Sequence, residues 1–125
     1  MSFEIFYGWS FMETKNICPW GYYQVLSDEP DHKVKRIVVA PGGSLSLQRH
    51  SRRSEHWYAV AGEGVATIDG KVFPLSGGQA IDIPLGATHR LENNSESDFV
   101  IIEVQTGNYF GEDDIERLED KYGRA

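Results

Sequence analysis

Four residues of this chain carry donor atoms suited to a divalent cation: Gln48, His50, Glu55 and His89. In the segment Leu45–His50, Leu45 and Leu47 fall on one face of an extended strand, and Ser46, Gln48 and His50 fall on the other. In a small closed barrel, a polar face of this kind lines a cavity. Gln48 and His50, at i and i+2, then project side by side. A tight connection, Ser51-Arg52-Arg53-Ser54, returns the chain and presents Glu55. His89 supplies the remaining strong ligand, at the start of a strand that follows Pro84-Leu85-Gly86. Nitrogen and oxygen donors with one formal negative charge suit one divalent ion. Zinc is the first expectation, with manganese, cobalt, nickel and iron as alternatives.

Charged residues gather around these donors. Lys33, Lys35, Arg36, Arg49, Arg52 and Arg53 all fall between residues 33 and 53. The chain as a whole is acidic: 12 Lys and Arg against 19 Asp and Glu give 12 − 19 = −7. That balance argues against nucleic acid and anionic membrane as partners. A local basic cluster on an acidic protein suits a small anion, its plain alternative being a row of solvated strand edges. Glu103 and Gln105 share a face of a strand that otherwise carries Phe99, Val100, Ile101 and Ile102. A carboxylate in such company is costly to bury alone. Glu103 is either a base tuned by burial or the partner of an arginine. His56 follows Glu55 directly; it is a candidate catalytic residue that strict alternation turns to the opposite face.

These residues need a frame of strands. Pro41-Gly42-Gly43, Gly62-Glu63-Gly64, Asp69-Gly70, Gly77-Gly78 and Pro84-Leu85-Gly86 are turn signals. Between them lie runs of strand composition: 34–39, 45–50, 55–61, 65–68, 71–75, 80–83, 88–91 and 99–105. Short strands at this spacing predict an all-β sandwich or barrel. Asp69-Gly70 predicts a two-residue hairpin. In the tail, Ile115, Leu118 and Tyr122 recur at helical spacing behind Glu112, Asp113 and Asp114, which predicts a short C-terminal helix. The 125 residues fit one domain. No apolar run approaches the roughly 20 residues of a membrane span, and the first residues do not read as a secretory signal. Cys18 is the only cysteine, which excludes an internal disulfide and suits a reducing cytoplasm. Phe3, Phe6, Tyr7, Trp9 and Phe11 are too many aromatics for a free tail. They are expected to cover a sheet face, with the His56, Tyr58 and Val60 face, in a homodimer.

The spacing Gly42, Gln48, His50, Glu55, Gly62 resembles the first cupin motif, with Gln48 where that motif has a histidine. Gly78, Pro84, Gly86, His89 and Asn93 resemble the second. The likeness narrows at Leu45-Ser-Leu-Gln-Arg-His50, Arg53-Ser-Glu55-His56-Trp57, Pro19-Trp20-Gly21 and the ending Gly111 to Arg124. These are similar to the cupin domain of type II phosphomannose isomerases, from about residue 18 to the C-terminus. The family usually has an arginine at Cys18 and often a histidine at Arg52. The fold implied is a cupin double-stranded β-helix, a jelly-roll barrel.

The resemblance implies a metal-dependent aldose–ketose isomerase that interconverts mannose 6-phosphate and fructose 6-phosphate. The metal would polarise a sugar oxygen. Arg53, in the loop at the cavity rim, would anchor the phosphate, with Lys33, Lys35, Arg90 and Gln105 as further substrate contacts. Glu103, His56 and Arg53 are the candidate catalytic residues. Many relatives place this cupin after a nucleotidyltransferase domain. That domain is missing from these residues, so guanylyl transfer is not expected of them. The alternatives are a cupin that binds a sugar or sugar phosphate without turnover, and a metal-dependent epimerase or oxygenase. Fold alone does not choose among them.

Overall fold

The computed structural model describes residues 14–125. It has eleven strands and, among the described residues, no α-helix. They are β1 (Asn16–Cys18), β2 (Gly21–Asp28), β3 (His32–Val39), β4 (Leu47–Arg49), β5 (Arg53–Ala61), β6 (Glu63–Ile68), β7 (Lys71–Ser76), β8 (Ala80–Ile83), β9 (His89–Glu92), β10 (Phe99–Gly107) and β11 (Glu116–Glu119). One sheet has the order β1-β2-β3-β10-β5-β8 and the other β11-β4-β9-β6-β7. All pairings are antiparallel. The chain passes repeatedly between the sheets, as in a jelly roll. The expected all-β barrel is therefore the one observed. No helix of the described residues is long and apolar enough to cross a membrane.

Alternation drives the assembly. On β5, Arg53, Glu55, Trp57 and Ala59 point inward and are buried, while His56, Tyr58 and Val60 are exposed. On β10, Phe99, Ile101, Glu103 and Gln105 point inward. Phe99, Ile101 and Trp57 meet Val39 and Ile37 of β3, with Ala66, Ile68, Leu75 and Leu91 from the facing sheet. Phe99 has no exposed surface. Its truncation to Ala would cost about 3–5 kcal/mol.

The same strands are apolar at one end and polar at the other. Across β3, β10 and β5, Ile37, Ile101 and Ala59 form one row in register. The rows beyond it are Lys35, Glu103 and Trp57, then Lys33, Gln105 and Glu55. The barrel interior thus divides into an oily half and a charged half. Gly107 closes the charged end of β10 opposite Arg53; a Cβ there would sit 2.2 Å from the Arg52 carbonyl oxygen. The hairpin at Asp69-Gly70 forms as predicted, with positive φ at both residues (48° and 80°) as a type I′ turn requires.

The C-terminal helix is not formed. Residues 116–119 pair with β4 as strand β11, with Glu116 opposite Arg49 and Arg117 opposite Gln48. A helix this short is marginal on its own, whereas the exposed edge of β4 offers backbone partners. Ion pairs fix the choice: Arg49 to Glu116 at 2.8 Å and Arg90 to Glu119 at 2.8 Å. Asp114, read from the sequence as a charge for a helix N-terminus, instead accepts hydrogen bonds from the backbone amides of Ser51 and Arg52. Strands β1 and β2 carried no clear sequence signal. Phe3, Phe6, Tyr7, Trp9 and Phe11 lie outside the described residues.

Candidate metal centre and cavity

His50, Glu55 and His89 converge at the charged end of the barrel. One ligand atom from each lies within 4.8 Å of the others, and all three residues are buried. His50 Nε2 is 3.3 Å from Glu55 Oε2, and His89 Nε2 is 3.8 Å from Glu55 Oε1. Gln48, on β4, pairs in register with His89 on β9. It lines the same cavity as His50, and its carboxamide oxygen accepts the Ser46 hydroxyl at 3.2 Å.

The hydrogen bonds behind the two imidazoles fix their tautomers. His50 Nδ1–H donates to the Asp114 carbonyl at 2.5 Å, and His89 Nδ1–H donates to the Ala87 carbonyl at 3.1 Å. A carbonyl only accepts, so each Nδ1 carries the proton. Each Nε2 lone pair then faces Glu55. Burial, helped by the Arg53 charge, lowers the pKa of His50 to about 4, and burial lowers that of His89 too. Both rings are neutral at pH 7, the form that ligates metal. His89 Nε2 is buried without a hydrogen-bond partner. An orphaned lone pair aimed at a carboxylate and a second imidazole fits a divalent cation.

Arg53 is buried beside these atoms. Its Nε donates to Glu55 Oε2 at 2.9 Å and one Nη donates to His50 Nε2 at 3.1 Å. The guanidinium is the positive charge that balances the donor set in this structure. Its other Nη is buried and unpartnered. Trp57 Nε1–H bridges Glu55 at 2.9 Å and Glu103 at 3.3 Å. Glu103 also accepts from Gln105 Nε2 at 2.6 Å, while the Gln105 carboxamide oxygen has no partner. Burial, then the neighbouring charge of Glu55, raises the pKa of Glu103 to about 7. Of the two readings of Glu103, no ion pair with an arginine forms among the described residues; Glu103 meets Trp57, Gln105 and the Glu55 carboxylate.

The cavity has a volume of about 210 Å³ and reaches from His50 and Arg53 to Cys18, Tyr23, Lys35, Gln48 and Arg117. The structure does not bring every sequence candidate to it. His56 is a correction: alternation sends it to the outer face, where it meets Asp82 at 2.6 Å. Arg90 is another; it reaches the Leu45 carbonyl and Glu119, and so fastens β11 to the sheet. Lys33 and Lys35 are buried and share the Glu112 carboxylate at 3.3 and 2.7 Å, and only Lys35 lines the cavity. Gln105 lies inside the barrel behind Glu103 rather than at the cavity wall. Trp57, Asp114 and Glu112 are site residues that the sequence did not single out. Trp57, adjacent to His56 but on the inward face with Glu55, was the one that alternation would have found.

A family model described as Mannose-6-phosphate isomerase C-terminal matches residues 10–120. Alginate biosynthesis protein AlgA of Pseudomonas aeruginosa is 49% identical over 117 residues, 90% of this chain and 24% of that protein. Mannose-1-phosphate guanylyltransferase of Klebsiella pneumoniae is 47% identical over 107 residues, 86% of this chain and 23% of that protein. The chain therefore spans about a quarter of the length of these relatives. Among solved structures, the capsular polysaccharide assembling protein CapF of Staphylococcus aureus matches with a TM-score of 0.76 and 26% identity, over 86% of this chain and 32% of that chain. A double-stranded β-helix protein of Klebsiella pneumoniae matches with a TM-score of 0.69 and 20% identity, over 78% of this chain and 83% of that chain. The fold is thus the expected cupin double-stranded β-helix. The expected reaction is corrected. The named relatives are mannose-1-phosphate guanylyltransferases and alginate and xanthan biosynthesis proteins. Their names overturn the assignment of this chain as an aldose–ketose isomerase, although the family description carries the word isomerase.

Proposed function

The chain belongs to the mannose-6-phosphate isomerase C-terminal family, and from that premise we propose that it is a metal-binding cupin module of sugar-nucleotide synthesis that holds a phosphorylated mannose. One observation carries the reading. Three buried donors converge, one of them an imidazole nitrogen without a partner, and one of the three, His50, lines a cavity that Lys35, Arg53, Arg117 and Arg124 also wall. His50, Glu55 and His89 would hold the ion, with Gln48 beside them as a neutral fourth donor. Zinc fits this nitrogen and oxygen set best. Bound there, it would act as a Lewis acid toward a sugar oxygen. The chain's own residues set the geometry. Asp114 and Ala87 orient the imidazoles, and Trp57 and Arg53 hold the Glu55 carboxylate. The ligand class follows from the names of the guanylyltransferase relatives, which specify mannose 1-phosphate. The module's part is to retain and present that sugar phosphate, with nucleotidyl transfer carried out elsewhere in a longer protein or complex.

The test is calorimetry with mannose 1-phosphate on protein stripped by a chelator and reloaded with zinc, manganese or cobalt. Metal content is read by mass spectrometry. One ion per chain, with sugar phosphate bound only when the ion is present, is the expected result. Loss of metal without any change in sugar-phosphate binding would overturn the reading. The homodimer is carried forward as a second proposal, supported by Tyr58 and Val60, which are 44% and 50% exposed on the outer face of β5. A solution mass near 14.1 kDa by light scattering would rule it out.

A further inference from the structure

The cations near the cavity differ in what already holds them. Lys33 and Lys35 are paired with Glu112. Arg53 is bonded to Glu55 and His50 in the interior. Arg90 is bonded to Glu119. Arg124, also on the cavity wall, makes two contacts with the Asp120 carboxylate, at 2.8 and 2.9 Å. Arg117 lines the same cavity and is exposed, and its guanidinium has no hydrogen bond or ion pair among the described residues.

Its position follows from the replacement of the predicted helix by a strand. β11 sets Arg117 opposite Gln48, and Gln48 is opposite His89. Partners directly opposite in antiparallel strands point to the same face. Arg117, Gln48 and His89 therefore form one row across the second sheet, from the cavity mouth to the metal donors. Two inter-strand steps span about 10 Å. That separation matches a ligand with an anionic end and a hydroxyl-bearing end, such as a hexose phosphate.

We propose that Arg117 is the phosphate anchor of this site and that it selects phosphorylated over unphosphorylated sugars, with the sugar ring directed along Gln48 toward His50, Glu55 and His89. The inference rests on the proposed function above and adds to it the residue that reads the phosphate. It also moves that role from Arg53, whose guanidinium is held within the donor set. A guanidinium is suited to the task because its fork matches two phosphate oxygens.

The experiment compares zinc-loaded wild type with Arg117→Met and Arg117→Lys, using calorimetry with mannose 1-phosphate and with mannose. Arg117 is exposed and β11 pairs through its backbone, so both variants should fold; thermal melts and metal content check that. Arg117→Met should lose roughly tenfold to a hundredfold in affinity for mannose 1-phosphate, the scale of one charge-assisted contact. Its affinity for mannose and its zinc content should not change. Arg117→Lys should recover part of the loss. An Arg117→Met protein that keeps the wild-type preference for the phosphorylated sugar would overturn the assignment while leaving the function standing. A wild type without that preference would overturn both.

Discussion

Strand β5 carries two neighbouring residues, Glu55 and His56, and each takes part in a histidine–carboxylate pair. Glu55 meets His50 inside the barrel at 3.3 Å. His56 meets Asp82 outside it at 2.6 Å. In the inner pair two acceptors, the His50 Nε2 lone pair and a Glu55 oxygen, face each other, and by distance alone the outer pair is the stronger. Its groups are 49% and 80% exposed, however, against 4% and 2% for the inner pair. Water and salt screen the outer contact to about 0–1 kcal/mol. The inner groups cannot fall back on water. Each must be satisfied by protein or by a ligand, and the orphaned His89 Nε2 is where the protein leaves a place. Burial and the hydrogen bonds behind each ring, more than pair distance, separate a site from a surface contact.

The largest effect breaks the inner pair. Replacing His50 and His89 together by Ala should abolish stoichiometric metal binding, whereas His56→Ala should leave metal content at the wild-type level. Elemental analysis after dialysis against zinc checks both. Full metal content in the double variant would place the site elsewhere.

A smaller effect comes from the groups that aim the inner ring. Asp114 holds the Ser51 and Arg52 amides through its carboxylate and His50 Nδ1 through its carbonyl. Asp114→Ala keeps the carbonyl but frees the segment that carries it. Metal affinity should fall by about 10–100-fold, the usual cost of losing an outer-shell partner. Competition titration with a chromophoric chelator reads the change. Asp82→Asn, the matching change on the outer pair, should leave metal affinity unaltered.

A pH series on metal-free protein sharpens the contrast further. The folded pKa of His50 is about 4, below its ordinary 6.5. The folded state then binds fewer protons than the unfolded chain, so this group's contribution to stability is complete above pH 6.5 and is lost as pH falls toward 4. Glu103 has the opposite sign. Its pKa is raised from 4.5 to about 7, so its contribution is present at low pH and is lost as pH rises from 4.5 through 7. The two slopes oppose each other in wild type. Glu103→Gln removes one, and its stability relative to wild type should rise with pH across that window, by at most about 1.4 kcal/mol per pH unit. Urea melts from pH 4.5 to 7 measure it. A difference that stays constant with pH would show that Glu103 titrates alike in the folded and unfolded chain.

Much of this arrangement was legible in the residues. The strands from Val34 to Gln105 were readable because β-branched runs alternate between turn signals. The convergence of His50, Glu55 and His89 was readable because two spaced motifs coincide. What alternation cannot give is which end of a strand is oily. Lys33 and Lys35 therefore read as phosphate contacts, whereas they lie on the inward face of β3 and are held by Glu112. The acidic run at Glu112 read as a helix start because local charge favours one. Its groups are instead used over long separations, Glu112 against Lys33 and Lys35, and Asp114 against the loop after His50. Such pairings depend on a sheet edge that periodicity does not show, and Arg117 was missed for the same reason.

The smallest expected effect is on the outer pair itself. His56→Ala removes a contact between two solvated groups and leaves no buried atom unpaired. Its stability should stay within about 0.5 kcal/mol of wild type, as for surface changes away from special features. Whatever difference exists should shrink as salt is raised, because a Debye length falls from about 10 Å at 0.1 M to about 3 Å at 1 M. His50→Ala differs in kind. It removes the acceptor from a buried Arg53 Nη and the donor from the Asp114 carbonyl, so metal-free protein should lose about 1–3 kcal/mol for each group left unpaired, with little response to salt. Denaturant melts of both variants at low and high salt make the comparison. Equal losses at the two positions would remove burial as the explanation, because at 2.6 Å against 3.3 Å the outer pair has the shorter contact.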